Sequence, residues 1–256
     1  MIADMSAAAV KKYISELNID EQSLMIDELK ADERKSVNQL AIKIEKSILK
    51  REEELQRLIE MQSFEKDAKQ KGFHFIAGLD EAGRGPLMGP VVASAVILPD
   101  NCVIEGLNDS KKLSEQKRDA LYEIIQEKAL AIGVGSSSHE EIDQINILNA
   151  TKLAMARAIE SLHQSPDYLL IDAVKLTDIN IEQEAIIKGD ARSLSIAAAS
   201  VIAKVTRDRI VADLAIEYPG YGFEQHKGYG TSAHYEAIEK QGISPVHRRS
   251  FLKNIL

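Results

Sequence analysis

The sequence lacks repeated cysteines, a long apolar run, and any glycine or proline in its first 71 residues. Its single cysteine, Cys102, excludes an intramolecular disulfide and is typical of a reducing compartment. No stretch approaches the roughly 20 apolar residues that cross a bilayer. The N-terminus also lacks a basic segment followed by an apolar one, so no signal peptide is predicted. We therefore expect a cytoplasmic protein without membrane contact.

The overall charge gives an ambiguous indication of the partner. The 256 residues carry a net charge of -8, with 45% hydrophobic and 28% charged residues, which is typical of a folded globular protein. A negative total argues at face value against nucleic acid. However, residues 191–256 contain 9 Lys and Arg against 6 Asp and Glu. Because local patches decide phosphate binding, a nucleic-acid partner stays open.

Glycine and proline divide the chain into two parts. All 14 glycines and all 6 prolines lie beyond residue 71, which predicts a boundary near Lys71–Gly72. Residues 1–71 place apolar side chains such as Leu40, Ile44 and Ile48 at helical spacing, so an all-helical N-terminal extension is predicted. It is either a packed appendage or an arm that contacts substrate or a partner. The appendage is favoured, because no chemically active cluster lies in this part.

Residues 72–256 alternate short apolar runs with helical patterns, which predicts an α/β domain with a mixed sheet. Apolar and β-branched runs predict strands at 73–79, 91–98, 131–135, 168–172 and 185–188. Helical periodicity and capping residues predict helices at 114–130, 140–163, 193–217 and 232–240. The domain is therefore expected to end in a helical segment.

Three of these predicted strands run into acids. Asp80 and Glu81 follow the first strand, Asp172 ends the fourth, and Asp190 follows the fifth. An ionised carboxylate at the end of a buried strand is costly unless a positive charge compensates it, and neighbouring acids add repulsion. A divalent cation removes both costs, and ligands that are all oxygen favour Mg²⁺ or Mn²⁺ over zinc. Each acid alone is weak evidence, but together they predict a metal centre.

The two adjacent acids need a particular backbone shape to serve one centre. Successive strand residues point to opposite faces, so Asp80 and Glu81 reach one ion only if the backbone turns there. Gly83 and Gly85, which flank Arg84, make such a turn possible and let backbone groups approach a sugar or phosphate closely. Two hard cations about 4 Å apart are a general device for phosphodiester hydrolysis. The residues alone thus predict a metal-dependent nuclease or phosphatase.

Five segments carry a resemblance to a known family: DEAGRGPLMGPVVASAVILP (80–99), NDSKKLS (108–114), DYLLIDA (167–173), IIKGDARSLSIAAASVIAKVTRDR (186–209) and YGFEQHKGYGT (221–231). In order and spacing they resemble bacterial ribonuclease HII, the type 2 ribonuclease H, from about Gly72 onward. Residues 1–71 resemble the helical extension of some Gram-positive members. The resemblance implies a ribonuclease H-like fold for residues 72–256, with a mixed five-stranded sheet flanked by helices and a C-terminal helical segment.

The resemblance also implies an activity. It is endonucleolytic cleavage of the RNA strand of RNA/DNA hybrids, including incision 5′ to single ribonucleotides embedded in duplex DNA, as in ribonucleotide excision repair. The products implied are 3′-hydroxyl and 5′-phosphate ends. Catalysis is implied to use two Mn²⁺ or Mg²⁺ ions, and the protein is implied to be a monomer.

Carried over residue by residue, the resemblance gives metal binding and catalysis to the four acids named above. It makes Gly83, Arg84 and Gly85 the loop whose main chain senses the ribose 2′-hydroxyl. It makes Tyr229 the tyrosine that packs on the sugar beyond the RNA–DNA junction. The 2′-hydroxyl distinguishes RNA from DNA, and a backbone sensor does not read the base, so activity independent of sequence is expected.

Basic and histidine residues complete the candidate site. Lys111 and Lys204 lie inside matched motifs and are expected to neutralise backbone phosphates, with Lys112, Arg207 and Arg209 as weaker candidates. His226 departs from the family pattern, in which Asn is more usual before KGYGT, and this affects the expected junction geometry. Histidines are not expected as metal ligands, because hard cations prefer oxygen.

Two rival functions remain open. A DNA nuclease or resolvase on the same general fold would also gather carboxylates but would need no 2′-hydroxyl sensor. A non-catalytic nucleic-acid-binding module is the third possibility. It fits least, because a protein that binds a polyanion gains nothing from four clustered acids.

Overall fold

The computed structural model describes residues 2–253. The chain divides by packing into two compact units, residues 1–57 and residues 58–256. The division falls within the helix α4 (Lys35–Glu60), earlier than the boundary predicted near Lys71–Gly72. Leu58 and Met61 belong to the core of the second unit, which explains why the end of α4 packs with it. The domain boundary drawn from composition stays a prediction.

The first unit is all-helical, as expected for the N-terminal residues. It contains α1 (Ala7–Glu16), α2 (Ile19–Leu24), α3 (Ile26–Lys30) and most of α4. Ser6 and Asn18 cap the first two helices by accepting hydrogen bonds from backbone N–H groups of the first turn. The core consists of buried apolar side chains from the N-terminal residues, α1, α3 and α4: Ile2, Val10, Ile14, Leu29, Val37, Ala41 and Ile44.

After the end of α4, the chain of the second unit forms α5 (Ser63–Gln70) and then a five-stranded sheet. The strands are β1 (Ile76–Ala82), β2 (Val91–Ile97), β3 (Ala131–Ser137), β4 (Tyr168–Asp172) and β5 (Glu182–Ile186). Their order is β3-β2-β1-β4-β5. The β1–β2 and β2–β3 pairs are antiparallel, whereas β4 runs parallel to both β1 and β5. The predicted mixed five-stranded sheet is therefore confirmed.

Helices cover both faces of this sheet. The helices that follow α5 in this unit are α6 (Glu115–Lys128), α7 (His139–Glu160), α8 (Leu194–Glu217), α9 (Phe223–His226) and α10 (Ser232–Gln241). α7 packs on β2 and β3, and α8 packs on β1 and β2. α8 lies so close to β1 that a Cβ added at Gly78 would be 2.1 Å from the backbone carbon of Ser195. Among residues 2–253, none of the helices combines the length and the apolar character of a membrane span.

Four strands differ from their predicted bounds: β2 ends one residue earlier and β3 two residues later than expected, whereas β1 and β5 are displaced along the chain. β1 was expected at 73–79 but continues to Ala82, because its last residues pair with β2 through Glu81↔Ala93 and Ala82↔Val92. β5 was expected at 185–188 but begins at Glu182, which pairs with Tyr168. It ends earlier because Lys188 adopts a left-handed conformation with φ 57°. The polar start of β5 concealed it from a pattern based on apolar runs.

Candidate active site

The strand topology brings the predicted acids to one edge of the sheet. β1 and β4 are parallel neighbours with Leu79 opposite Ile171, so Asp80 and Asp172 come next on adjacent strands. β5 leads into a 3₁₀ turn, Gly189–Ala191, that carries Asp190. The Gly189 N–H donates to Asp172 Oδ1 at 2.7 Å, which fixes this turn beside the end of β4. Acids from three chain segments are therefore neighbours.

The acids are buried and repel one another. Asp80 is 4% exposed and Asp190 is 6% exposed. Burial raises the pKa of Asp80 well above its usual range, and repulsion from Glu81 and Asp172 adds to the rise. Burial also raises the pKa of Glu81, although Arg84 opposes this. The pKa of Asp190 is raised by burial and then by repulsion from Asp109 and Asp172.

The sequence analysis did not include Asp109 in the site. Asp109 lies in the loop before α6, and its repulsion raises the pKa of Asp190. Its carboxylate accepts a hydrogen bond from the Lys111 N–H at 2.9 Å. It belongs to the matched segment NDSKKLS, but no apolar strand precedes it. The strand-end argument therefore could not find it. A fifth carboxyl group increases the negative charge at this edge of the sheet.

Positive charge near the acids is limited. The Arg84 Nη1 lies 3.1 Å from Glu81 Oε1, and the Lys111 Nζ lies 3.8 Å from Asp190 Oδ2 with 81% of its side chain exposed. The pKa of Lys111 is raised, because attraction by Asp80, Asp190 and other acids outweighs the lowering effect of burial. Two cations on exposed side chains face five carboxyl groups. Among the described residues, the negative charge of the site therefore exceeds the positive charge close to it.

The residues present fit a hard divalent cation by charge and donor type. Glu81 Oε2 is buried and has no hydrogen-bond partner among the described residues. All candidate ligand atoms are carboxylate oxygens, which Mg²⁺ and Mn²⁺ prefer. In the described part of the chain, however, no three or more His, Cys, Asp or Glu side chains form a group that could hold a metal ion as they stand. The acids are neighbours whose side chains must still turn toward a common point.

The turn expected at the adjacent acids is not there. Asp80 pairs with Ser94 and Glu81 with Ala93, so the strand continues through both residues and their side chains leave on opposite faces. The expectation that the backbone turns at Asp80–Glu81 is wrong. The turn comes at Gly83, with φ 96°. Repulsion from Asp172 nevertheless raises the pKa of both Asp80 and Glu81, because all three lie at the end of the sheet.

The segment after β1 is wrapped around a buried arginine. Arg248, which is 0% exposed, donates from Nη2 to the Gly83 carbonyl at 2.7 Å and from Nη1 to the Arg84 carbonyl at 3.1 Å. It also donates to the carbonyls of Pro86 at 2.8 Å and Gly89 at 2.9 Å. Burial, with repulsion from Arg207, lowers the pKa of Arg248 to about 9. Sequence reasoning missed this residue, because nothing in the pattern marks a charged side chain as buried.

A second buried arginine supports the same segment. Arg207 donates from Nε to the Pro90 carbonyl at 3.2 Å and from Nη1 to the Lys227 carbonyl at 3.1 Å. It packs so tightly under Gly83 that a Cβ there would lie 2.1 Å from Arg207 Nε. Arg207 is 1% exposed, so its expected role with backbone phosphates is wrong. It binds the loop instead.

The loop of Gly83, Arg84 and Gly85 (the GRG loop) therefore presents its backbone donors outward. The carbonyls of Gly83 and Arg84 are occupied by Arg248. The N–H groups of Arg84 and Gly85 donate to no acceptor among the described residues, and both residues are exposed. Free backbone donors beside a cleft are suited to a phosphate or sugar oxygen.

One cleft of about 400 Å³ contains most of the predicted site. Its lining includes Glu81, Asp172, the GRG loop, Lys111, Lys204 and Tyr229. The buried Asp80 and Asp190 are not part of this lining. Lys204 is bound to Asp208 at 2.7 Å, and burial lowers its pKa despite this partner. The Tyr229 ring lies at the GRG loop, because a Cβ at Gly85 would be 3.4 Å from Tyr229 Cε1.

Histidines hold the turn that carries Tyr229. The His234 Nδ1 lies 2.9 Å from the Tyr229 carbonyl and must be protonated there, so its Nε2 accepts from His247 Nε2 at 3.0 Å. The His247 Nδ1 in turn accepts the Ser244 N–H at 2.9 Å. His226, the departure from the family pattern, has its Nε2 2.8 Å from the Tyr221 carbonyl and accepts the Gly228 N–H on Nδ1. These contacts assign one tautomer to each of the three rings.

Comparison with known proteins gives matches over nearly the whole chain. The family model for ribonuclease HII matches residues 77–254, and that for the ribonuclease HII N-terminal domain matches residues 6–69. Ribonuclease HII of Clostridioides difficile is 54% identical over 253 residues, covering 99% of both chains. Ribonuclease HII of Acetivibrio thermocellus is 53% identical over 255 residues, covering 100% of both. The crystal structure of ribonuclease H2 from Pyrococcus horikoshii OT3 superposes with a TM-score of 0.58 at 26% identity, covering 69% of this chain and 93% of that one.

Proposed function

The chain belongs to the ribonuclease HII family, and from this premise we propose that it incises duplex DNA 5′ to single embedded ribonucleotides. It is a nuclease, a hydrolase of phosphodiester bonds, and family membership supports endoribonuclease activity on RNA/DNA hybrids. The products of the proposed incision are 3′-hydroxyl and 5′-phosphate ends, as ribonucleotide excision repair requires. One observation carries the proposal: a single cleft joins the carboxyl groups of Glu81 and Asp172 to a loop with free backbone donors.

Asp80, Glu81, Asp172 and Asp190 would hold Mn²⁺ or Mg²⁺, with two ions during catalysis. When bound, such ions activate the attacking water and stabilise the leaving oxygen. Two observations support this role. Glu81 Oε2 has no hydrogen-bond partner among the described residues. Burial and repulsion between the acids raise the pKa values of Asp80 and Asp190, and a bound cation would offset both effects. Lys111 and Lys204, which line the same cleft, are proposed to contact backbone phosphates.

The GRG loop and Tyr229 are proposed to recognise the sugar. The 2′-hydroxyl both donates and accepts, so a backbone N–H of the GRG loop can bind it without touching the base. The exposed Tyr229 ring offers a flat apolar face beside Gly85, suited to a deoxyribose on the neighbouring nucleotide. Recognition of this kind predicts selection for a ribonucleotide with little dependence on sequence.

Residues 72–256 are proposed as the catalytic domain and residues 1–71 as an extension whose first compact unit, residues 1–57, tunes substrate affinity. We further propose that the protein is cytoplasmic and monomeric. A variant lacking residues 1–57, the first compact unit, tests the role of the extension. Single-turnover cleavage at saturating substrate is expected to persist with a higher KM for the duplex. Loss of cleavage in a folded variant would contradict this assignment.

Three matched duplexes test the proposed activity: all DNA, DNA with one ribonucleotide, and an RNA/DNA hybrid. With Mn²⁺ or Mg²⁺, the protein is expected to nick 5′ to the single ribonucleotide, to cut the hybrid, and to leave the all-DNA duplex intact. EDTA is expected to stop both reactions. Equal cleavage of all-DNA duplex would favour a DNA nuclease, and binding without cleavage would favour a binding module. Cleavage of the hybrid alone would refute incision at single ribonucleotides.

A further inference from the structure

The N-terminal end of α8 is held by a carboxylate from another helix. Glu65, on α5, accepts the Ser195 N–H on Oε1 at 2.9 Å. The same oxygen accepts the hydroxyl groups of Ser193 and Ser195, each at 2.6 Å. Both serines are almost fully buried, at 0% and 1% exposure. A carboxylate at a helix N-terminus satisfies free N–H donors and interacts favourably with the helix dipole.

Two further contacts join the same segments. The Leu194 N–H donates to the Met61 carbonyl at 2.9 Å, just after α4. The Arg192 guanidinium lies over the Phe64 ring, 5.0 Å from its centroid. Each residue from 192 to 195 thus contacts a residue between 61 and 65 (the α5 clamp). All these residues belong to the second compact unit.

The clamped residues lead directly to Asp190. The N–H groups of Arg192 and Ser193 donate to the Gly189 carbonyl at 2.9 Å and 2.8 Å. On the other side of the same residue, the Gly189 N–H donates to Asp172 Oδ1 at 2.7 Å. The turn carrying Asp190 is therefore fixed between Asp172 and the α5 clamp. Movement at the start of α8 would change the distance between the two acids.

We propose that Glu65 is a positioning residue that holds Asp190 in register with Asp172 for a shared divalent cation. The inference rests on the proposed metal role of Asp190. Glu65 itself lies on the far side of the turn and does not line the cleft. Its loss would leave the Ser195 N–H without its acceptor, together with at least one of the buried hydroxyl groups of Ser193 and Ser195, which lie 3.2 Å apart and can bond only to each other, so the start of α8 would loosen. The consequence is weaker ion binding rather than weaker binding of the duplex.

Calorimetric titration of the full-length protein with Mn²⁺ tests this directly. Glu65→Ala is expected to weaken binding by about threefold to tenfold, as loss of a helix cap or of a partner behind a metal ligand does. Glu65→Gln keeps one acceptor oxygen and is expected to fall between Glu65→Ala and the wild type. Asp67→Asn, which removes an exposed carboxylate from the same helix, is the matched control with unchanged affinity. Should Glu65→Ala fail to fold, the Gln variant decides, and wild-type affinity in the decisive variant overturns the proposal.

A kinetic measurement separates positioning from a general loss of structure. The kcat of Glu65→Ala is expected to be low at limiting Mn²⁺ and to recover at saturating Mn²⁺, while the KM for a ribonucleotide-bearing duplex stays unchanged. A merely structural role would lower kcat at every Mn²⁺ concentration, and that outcome contradicts the proposal.

Asp190→Asn distinguishes failure of the clamp from failure of the site. Wild-type Mn²⁺ affinity in Asp190→Asn refutes the proposed metal role of Asp190, and the inference with it. Weakened binding in Asp190→Asn together with wild-type binding in Glu65→Ala refutes the inference alone. The double variant is expected to bind no more weakly than Asp190→Asn, because the two residues act through the same ligand.

Discussion

The two ends of the cleft bury charge of opposite sign, and they satisfy it differently. At one end, Arg248 and Arg207 form no salt bridge with a carboxylate among residues 2–253, yet their guanidinium groups donate to backbone carbonyls of the GRG loop and nearby segments. At the other end, Asp80 and Asp190 carry raised pKa values, and Glu81 Oε2 has no partner among the described residues. The arginine end is hydrogen-bonded within the protein, whereas the charge of the acid end is the one that the proposed cation would neutralise.

The difference indicates a division of labour. A buried charge that is fully hydrogen-bonded acts as a rigid support, because moving it would break several bonds at once. A buried charge without compensation is costly in the free protein, and binding of a cation converts that cost into affinity. We expect substitutions at the acid end to abolish cleavage. We expect substitutions at the arginine end to disturb the conformation of the GRG loop.

The largest effect is expected from Asp80→Asn. Removing the charge should lower kcat by about a thousandfold or more, as loss of a metal ligand does. The variant should still fold, because Asn keeps an acceptor for the Glu81 N–H that Asp80 now binds at 2.7 Å. Its metal-free Tm should equal or exceed that of the wild type, since burial and repulsion disfavour ionised Asp80. Asp178→Asn, an exposed acid between β4 and β5, is the control, and full activity in Asp80→Asn would contradict the assignment.

Arg248→Lys should have the next largest effect, and mainly on stability. An ammonium group offers three donors where four carbonyls now bind, so at least one carbonyl loses its partner. The free energy of unfolding should fall by about 2–4 kcal/mol. Cleavage of the single-ribonucleotide duplex should weaken while Mn²⁺ affinity stays unchanged. Arg249→Lys, at the exposed neighbouring position, is the matched control. Loss of Mn²⁺ affinity in Arg248→Lys would break the division between the two ends.

Tyr229→Ala should have a smaller effect, confined to the substrate. Removing a half-exposed ring from the cleft should raise the KM for the ribonucleotide duplex by about tenfold, from lost apolar contact. Tyr229→Phe keeps the ring and should behave like the wild type. Steady-state kinetics on both variants checks this, and a Phe variant as impaired as the Ala variant would indicate that the hydroxyl matters instead.

The smallest effect concerns pH and the histidines behind Tyr229. Burial, with repulsion from His234 and His139, lowers the pKa of His247 from 6.5 to about 4. The unfolded chain then takes up a proton near pH 6.5 and the folded chain only near pH 4. Stability from neutral His247 is therefore present above pH 6.5 and lost as pH falls from there toward 4, by about 1 kcal/mol per pH unit.

Urea unfolding between pH 7.5 and 4.5 measures this dependence. The slope should be smaller in His247→Asn than in the wild type, whereas His163→Gln, at an exposed position, should keep the wild-type slope. An identical slope in wild type and His247→Asn would show that His247 does not titrate as its buried contacts require.

The sequence predicted well wherever a single chain segment carried the signal. The strand ending at Asp172 and the helix ending at Glu217 have their predicted ends, because apolar patterning and a following break specify them locally. The edge strand β5 was displaced, since its polar residues Glu182 and Glu184 resemble a loop until they pair with β4. The local sequence pattern does not reveal that these residues pair with β4.

The site was predicted in part for the same reason. Acids at strand ends are visible in sequence, and parallel pairing of β1 with β4 makes Asp80 and Asp172 neighbours. Arg248 lies far along the chain from Gly83, and nothing local marks its guanidinium as a buried ligand of carbonyls. The contact of Glu65 with Ser195 likewise depends on how α5 packs, which no motif specifies.

Anomalous scattering from crystals soaked in Mn²⁺ tests the central claim most directly. We expect a peak at the C-terminal edge of β1 and β4, with carboxylate oxygens of Asp80 and Asp172 turned to within about 2.2 Å of it. A protein saturated with Mn²⁺ that shows no peak there, or a peak bound elsewhere while these carboxyl groups keep their present positions, would contradict it.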